Sequence, residues 1–288
     1  MKIVKFAGGI GNQMFQYALL LALEDHFKEL VLADISAFKN PKERKFELDT
    51  IFDIDLHIAS PKDIRKVSYY FDNYTINRIV KKIFKIKKTE YFEQGYWAFD
   101  DTVFDESLSR YYIGNWMNIF YFQNIEHKVK KSFRFKLPQD KENQQILAHI
   151  KSKNSVSIHV RRGDYLKIAG QLICGLDYYK SAISFIIQSI ENPSFFIFSD
   201  DIAWCRTELG PLFGLLDNNF IDWNSGGNSY KDMQLMASCD HNIVANSTFS
   251  WWGAYLNNNP NKMVIASKVW AEHCRNEAGH VLTAWTLL

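Results

Sequence analysis

"KIVKFAGGIGNQMFQYALLLALEDHFKELVLAD" runs from Lys2 to Asp34, and its pattern decides the architecture. Ile3, Val4 and Phe6 form an apolar run of the length of a buried strand. Gly8, Gly9 and Gly11 then break it with a tight turn. Residues 13–27 carry an apolar stripe at helical spacing, and "ELVLAD", 29–34, is again apolar at strand length. Strand, glycine turn, helix and strand make a β-loop-α-β unit.

The same alternation returns in the second half. A helix over 141–151 precedes the strand "SVSIHV", 155–160; a helix over 176–190 precedes "SFFIFSD", 194–200, and a further helix starts near Ile202. "NFIDW", 219–223, a helix over 230–239, the strand "HNIVAN", 241–246, a helix from Ser250 and a last strand "KMVIAS", 262–267, continue it. Strands alternating with helices imply a doubly wound parallel sheet, whose ligands sit at the carboxyl ends of the strands. Between about Phe38 and Leu137 short aromatic runs alternate with charge, and no period orders the elements. A chain of 288 residues suits two domains of about 140 each. Pro138 and the polar stretch after it set the boundary within 138–152, giving an N-terminal lobe 1–145 and a C-terminal lobe 146–288, with a last helix that can pack back on the first lobe.

The balance of 34 basic against 32 acidic residues excludes a protein that blankets nucleic acid with positive charge, so an anionic ligand must be met by a local cluster. Cys174, Cys205, Cys239 and Cys274 are widely spaced, which fits neither a zinc site nor a disulfide scaffold. The first apolar stretch is broken by glycines and "YALLLALEDHF" turns charged too early to span a bilayer, so a soluble, cytoplasmic protein is expected. The basic run "RIVKKIFKIKK", 78–88, reads either as a peripheral contact with an anionic inner membrane or as a solvated helix face.

Four segments at strand ends carry chemistry. In "AGGIGNQ", 7–13, glycines let backbone N–H groups approach an anion at a helix N-terminus and Asn12 adds a donor; the alternative is a turn that packs strand on helix. Met14 stands where a dinucleotide fingerprint has its third glycine, and the lysine of a P-loop is absent. In "SIHVRRGDYL", 157–166, Arg161, Arg162 and Asp164 fall just past a strand beside His159; one arginine can grip a phosphate while the other pairs with Asp164. "FIFSDDIAWC", 196–205, sets Ser199, Asp200 and Asp201 at the next strand end, where adjacent carboxylates can bind a metal, serve as acid and base, or, through Asp200 or Ser199, cap the following helix. "NIVANSTFSWWGAYL", 242–256, places Asn246, Ser247 and Thr248 as a donor nest. A metal-dependent alternative rests on Asp53 and Asp55 in "FDIDLHI" alone.

"GGIGNQMFQYA", "HVRRGDY", "FSDD" and "KDMQLMASCDHNIVANSTFSWWGAYLN" follow one another in an order that resembles the bacterial α-1,2-fucosyltransferases of glycosyltransferase family 11. The H-x-R-R-x-D element is also similar to that of α-1,6- and protein O-fucosyltransferases, which keeps those linkages, and a non-catalytic binding module, as alternatives. The resemblance implies a GT-B fold of two Rossmann-like lobes with a cleft between them, and an inverting reaction without a metal or other cofactor. It implies GDP-fucose as donor, held mainly by the C-terminal lobe, and a galactose-terminated or lipid-linked glycan as acceptor. By the same resemblance His159 and Asp232 recognise guanine, Arg161 holds the β-phosphate, and Gly9, Gly11 and Asn12 meet the pyrophosphate. Arg162, Asp200, Asn246, Ser247 and Thr248 complete the donor site. Asp164 is the expected base, with Asp177 and Glu93 as substitutes. Trp97 and Trp116 either stack on sugar or fill the core.

Overall fold

The computed structural model describes residues 1–39, 44–69, 86–95, 97–105, 108–167, 172–271, 274–275, 279 and 281–288. Most of the basic run, 78–85, lies outside them, so the membrane expectation for that segment does too. The chain forms two compact units, Met1–Arg134 with Ala278–His280, and Phe135–Glu277 with Val281–Leu288. The division thus falls ahead of Pro138, and the helix Lys141–Lys151 belongs whole to the second unit. The reason lies in its polar bonds: Asp140, its N-cap, pairs with Lys231 at 2.8 Å, and His149 meets Asp217 at 2.8 Å.

In the first unit β1 (Lys2–Lys5), β2 (Val31–Asp34), β3 (Glu90–Phe92) and β4 (Arg110–Ile113) form a parallel sheet in the order β2-β1-β4-β3. The helix α1 spans Ile10–Phe27, starting earlier than its periodicity suggests because Gly9 serves as an extended N-cap. Gly8 ahead of it sits at φ 83°, a left-handed conformation that a side chain resists. Every α1 residue from Ile10 to Leu23 is buried except Asn12, so the helix crosses the unit's core rather than lying on its surface.

The second unit holds β5 (Asn154–Val160), β6 (Pro193–Ser199), β7 (Asn218–Ile221), β8 (His241–Ile243), β9 (Val264–Ala266) and a C-terminal strand Thr286–Leu287. Their order is C-terminal strand-β9-β8-β5-β6-β7, all parallel. Apolar side chains of β5 and β6, Val156, Ile158, Phe195 and Ile197, pack against Tyr179, Ala182 and Ile183 of the helix Leu176–Ser189. Burying each contributes about 1.5–3 kcal/mol. The strand at 262–267 is not the last one: Thr286 pairs with Ile265, and Leu288 N–H donates to Ala266 O at 3.0 Å. That pairing satisfies an edge of β9 that would otherwise be open. Among the described residues no helix follows Leu256, so a closing helix is not part of them.

The end of β4 shows how tightly the first unit is built. Glu93 accepts N–H bonds from Asn115 at 2.8 Å and Trp116 at 2.9 Å, which holds Trp116 at φ 59° with no exposed surface. A Cβ on Gly114 would stand 2.5 Å from Glu93 Cβ, inside van der Waals contact. Gly114→Ala is therefore expected to destabilise the protein by about 1–3 kcal/mol through overpacking. Thermal unfolding with an unchanged midpoint would show instead that the turn shifts to make room.

Candidate active site

The second sheet runs outward from β5 in both directions: β6 and β7 on one side, β8, β9 and the C-terminal strand on the other. The chain reverses direction across the sheet at β5 and β8, and in such sheets ligands bind at the carboxyl ends of the strands flanking that point. Val160 is in register with Ser199, so the loop after β5 and the start of the loop after β6 are neighbours.

There the two arginines meet three carboxylates. Arg161 pairs with Asp164 at 2.7 Å and with Asp200 at 3.0 Å. Asp200 also accepts the backbone N–H of Arg162 at 2.8 Å, while the Arg162 guanidinium pairs with Asp201 at 3.1 Å and lies 4.2 Å from the Trp204 ring centroid. A side chain on Gly163 would place its Cβ 2.8 Å from Asp200 Oδ2, so this loop needs the glycine to sit on that carboxylate. Two expectations change. Asp164 engages Arg161, the arginine expected to hold phosphate, and not Arg162. The helix that begins at Ile202 is capped by Asp201, through Trp204 N–H at 3.2 Å, and not by Asp200 or Ser199. The positive charge is also matched, because each guanidinium has its own carboxylate.

His159, on β5, is 5% exposed and its Nδ1 has no hydrogen-bond partner. Burial first, and then the charge of Arg161, press its pKa down to about 3, so the ring is neutral. A buried ring nitrogen left without a partner costs about 1–3 kcal/mol. Asp232 lies in the first turn of the helix Tyr230–Ser238 and accepts from Asn224 Nδ2 at 2.8 Å. Among the described residues it forms no salt bridge, and desolvation raises its pKa to about 7 despite that hydrogen bond. Ionising it in the folded chain opposes stability as pH rises above the ordinary carboxylate range, a pattern typical of groups kept for a ligand.

The donor nest after β8 is partly occupied by the protein itself. Asn246 Nδ2 donates to Leu172 O at 2.8 Å and to Trp270 O at 3.0 Å, and its Oδ1 accepts from the Cys174 thiol, so this side chain ties loops together instead of facing a phosphate. Ser247 caps the helix Thr248–Leu256 through Phe249 N–H at 3.4 Å, which places Thr248 in the first turn. Trp251 and Trp252 are fully buried core residues.

The glycine segment belongs to the first unit. Gly9 is the N-cap of α1, Gly11 and Asn12 fall in its first turn, and Asn12 donates to Asn115 Oδ1 at 3.4 Å. Of the substitute bases, Glu93 has both oxygens on the turn after β4, with burial raising its pKa, and Asp177 is fully exposed. Trp97 and Trp116 are buried and fill the core. Asp53 and Asp55 are exposed, and no metal-binding group of carboxylates, histidines or cysteines occurs among the described residues. Sequence reasoning passed over Asn143 and Asn224, whose pairing links positions far apart in the chain and leaves no readable signal.

The chain belongs to glycosyl transferase family 11, whose family model matches residues 1–288. It is 31% identical over 283 residues to an alpha-1,2-colitosyltransferase of Escherichia coli, covering 94% of this chain and 92% of that one. It is 25% identical over 266 residues to galactoside 2-alpha-L-fucosyltransferase Sec1 of Mus musculus, covering 88% of this chain and 63% of that one. Among solved structures, NodZ alpha-1,6-fucosyltransferase soaked with GDP-fucose aligns at 13% identity with a TM-score of 0.51, over 88% of this chain and 92% of that one. The fold is accordingly the GT-B class of two Rossmann-like units, and the protein is a glycosyltransferase. No helix among the described residues is long and apolar enough to cross a membrane.

The partners of Arg162 generate a prediction of their own. Its guanidinium is placed by Asp201 and Trp204, both within the protein, so Arg162→Lys should lower the thermal midpoint by removing a planar group that fits both. The loss should be about 1–2 kcal/mol, the scale of a stacked guanidinium or one charged hydrogen bond. A variant that melts like the wild type yet loses nucleotide affinity would place this arginine on the ligand.

Proposed function

We propose that this family 11 glycosyltransferase is an inverting, metal-independent α-1,2-fucosyltransferase that moves L-fucose from GDP-β-L-fucose to O-2 of a terminal β-galactoside. The observation that carries the reading is the neutral, buried His159 whose Nδ1 has no partner, directly beside Arg161 at the strand-order reversal. A polar group left unmatched at that point of a Rossmann-like sheet suits a nucleotide ligand. The names of the relatives supply the sugar class: galactoside 2-alpha-L-fucosyltransferase for one, alpha-1,2-colitosyltransferase for another.

In this reading the carboxylate of Asp232 accepts the N1 and N2 hydrogens of guanine, with His159 as the second base contact. Arg161 holds the β-phosphate, and the first turn of Thr248–Leu256, with Ser247 and Thr248, meets other pyrophosphate oxygens. As the fucosyl C1–O bond breaks, positive charge builds on the sugar ring and negative charge on the departing GDP. A guanidinium has five N–H donors; Arg161 directs two nitrogens at Asp164 and Asp200, which fix its plane while other hydrogens serve the leaving oxygen. The acceptor hydroxyl attacks C1 from the opposite face as the bond to GDP breaks, converting a β-linked donor into an α-fucoside, and its proton passes to water. Asp164 then acts chiefly as the positioning partner of Arg161.

The test is transfer to a panel of galactosides, read by mass spectrometry, with fucosyl and colitosyl donors offered separately and with excess EDTA. Fucosyl transfer to O-2 that persists in chelator is expected. Preference for the colitosyl donor would reassign the sugar, and activity restored only by Mn²⁺ would remove the metal-free mechanism. Arg161→Lys keeps the charge but loses the planar fork, so kcat should fall on the order of a hundredfold, the scale for one preorganised donor. Donor affinity should fall less, since the charge on the leaving oxygen is greatest in the transition state. A variant with wild-type kcat would make Arg161 a structural residue.

A further inference from the structure

Asp232 does not stand alone: behind it lies a pair of side-chain amides whose every hydrogen-bonding group has a partner. Asn224 Nδ2 donates to Asp232 Oδ1 at 2.8 Å and to Asn143 Oδ1 at 2.9 Å. In return Asn143 Nδ2 donates to Asn224 Oδ1 at 2.8 Å and to Asp140 Oδ1 at 2.6 Å, and Trp223 Nε1–H donates to Asn143 Oδ1 at 3.2 Å. Asn143 is 1% exposed and sits in the first turn of the helix Lys141–Lys151, anchored by its own backbone N–H on Asp140 at 2.9 Å.

This pairing admits one orientation only. Turning the Asn224 amide over would set its oxygen against the Asp232 carboxylate, and its nitrogen against the donor nitrogen of Asn143. A buried network is stiff when every member is satisfied, and this one reaches from a helix of the unit's start, through the segment after β7, to the helix Tyr230–Ser238.

We propose that the Asn143–Asn224 amide pair is a positioning device that orients the Asp232 carboxylate and thereby sets the discrimination of guanine from other purines. The inference rests on the donor reading above. Oδ1 of Asp232 receives one N–H from Asn224 and keeps a second lone pair, so the carboxylate can still take guanine's two adjacent N–H groups while its rotation is arrested. Hypoxanthine offers only the first of those two hydrogens, and adenine neither. The pair also acts on the proton: the Asn224 bond favours the ionised carboxylate against the burial that raises its pKa to about 7. The nearby Lys231 is matched with Asp140 at 2.8 Å and the His149 ring with Asp217 at 2.8 Å, which leaves this amide as the group that opposes protonation.

The sign follows. Below its midpoint Asp232 carries a proton and presents a donor to a donor, so GDP affinity should fall as pH falls through about 7. Asn224→Leu removes the amide and keeps the shape, so the midpoint should move to higher pH. At pH 7 GDP affinity should fall about tenfold, the scale of one lost hydrogen bond to a charged group, and it should recover as pH is raised. Its preference for GDP over IDP should shrink. Asn224→Asp, which sets a second carboxylate against the first, should move the midpoint further in the same direction.

The experiment is calorimetry of GDP and IDP binding across the neutral pH range for wild type and both variants, beside carboxyl NMR titration of Asp232 in the ligand-free proteins. Higher midpoints with a reduced GDP-to-IDP ratio support the device. A wild type that prefers GDP, with variants whose midpoint and preference are both unchanged, overturns the amide pair and leaves the donor reading standing. A wild type without GDP preference at any pH overturns the donor reading, and the purine role of the pair with it, even where the NMR midpoints move. Equal weakening of GDP and IDP at fixed midpoint reduces the pair to scaffold and also overturns the proposal.

Discussion

The pairing of β5 with β6 on one edge and β8 on the other is the constraint on which the second unit depends. A strand hydrogen-bonded on both edges is buried on both faces, and β5 is buried from Ser155 to Val160. Its polar residues can therefore act only at its carboxyl end, where the covering helices stop. His159 is the last polar residue before that point and Arg161 the first beyond it, so the sheet, and no loop preference, brings a neutral imidazole and a guanidinium together. The register with β6 then fixes Asp200 opposite, because Val160 pairs with Ser199. Asp200 bonds both the backbone of Arg162 and the side chain of Arg161, which makes one carboxylate the link between two strand ends.

That link changes the electrostatic character of the site. Two guanidiniums facing Asp164, Asp200 and Asp201 give no surplus of positive charge, so long-range attraction of an anion is not what the cluster supplies. What it supplies is direction. In the donor reading proposed above, a guanidinium held between two carboxylates keeps its remaining N–H groups aimed without reorganising when charge develops on a leaving group. The first turn of Thr248–Leu256 adds partial positive charge of fixed orientation. Arg162 is drawn into the frame instead, stacked on Trp204, which explains why two adjacent arginines need not share a task.

Long elements with a clear period were legible in the sequence: the helix Lys141–Lys151 appears where its apolar spacing put it, and β5 and β6 lie within a residue of their apolar runs. The middle of the chain was not, because β3 is three residues long with a partly exposed pattern and β4 is built of Arg110, Tyr111, Tyr112 and Ile113, too short for a period to emerge. The strand Thr286–Leu287 exists because β9 offers an edge, a tertiary fact invisible in two residues. The same limit applies to the site. Which residue types cluster after β5 could be read, but whether Asp164 faces Arg161 or Arg162, and whether Asp200 or Asp201 caps, turns on one rotation of the loop. Asn246 looked like a ligand because it follows a strand; its amide instead bridges Leu172 and Trp270, positions far off in sequence.

How this unit treats its buried amides sets off two groups of the candidate site. Asn242 donates to Ser157 Oγ at 2.7 Å and Met236 O at 2.8 Å, while Asn257 donates to Cys239 O and Asn242 Oδ1, each at 2.8 Å. Asn143 and Asn224 are matched as completely. Against that background His159 keeps an unmatched ring nitrogen, and Asp232 keeps a desolvated carboxylate opposed by no cation among the described residues. The unmet ring nitrogen costs about 1–3 kcal/mol, out of a folding stability that for a domain is only about 5–15 kcal/mol. A chain that satisfies its neighbouring amides so fully has the means to satisfy these as well. In the donor reading proposed above, a ring nitrogen left without a partner and a desolvated carboxylate held by a single amide are each half of an interaction whose other half arrives with the ligand.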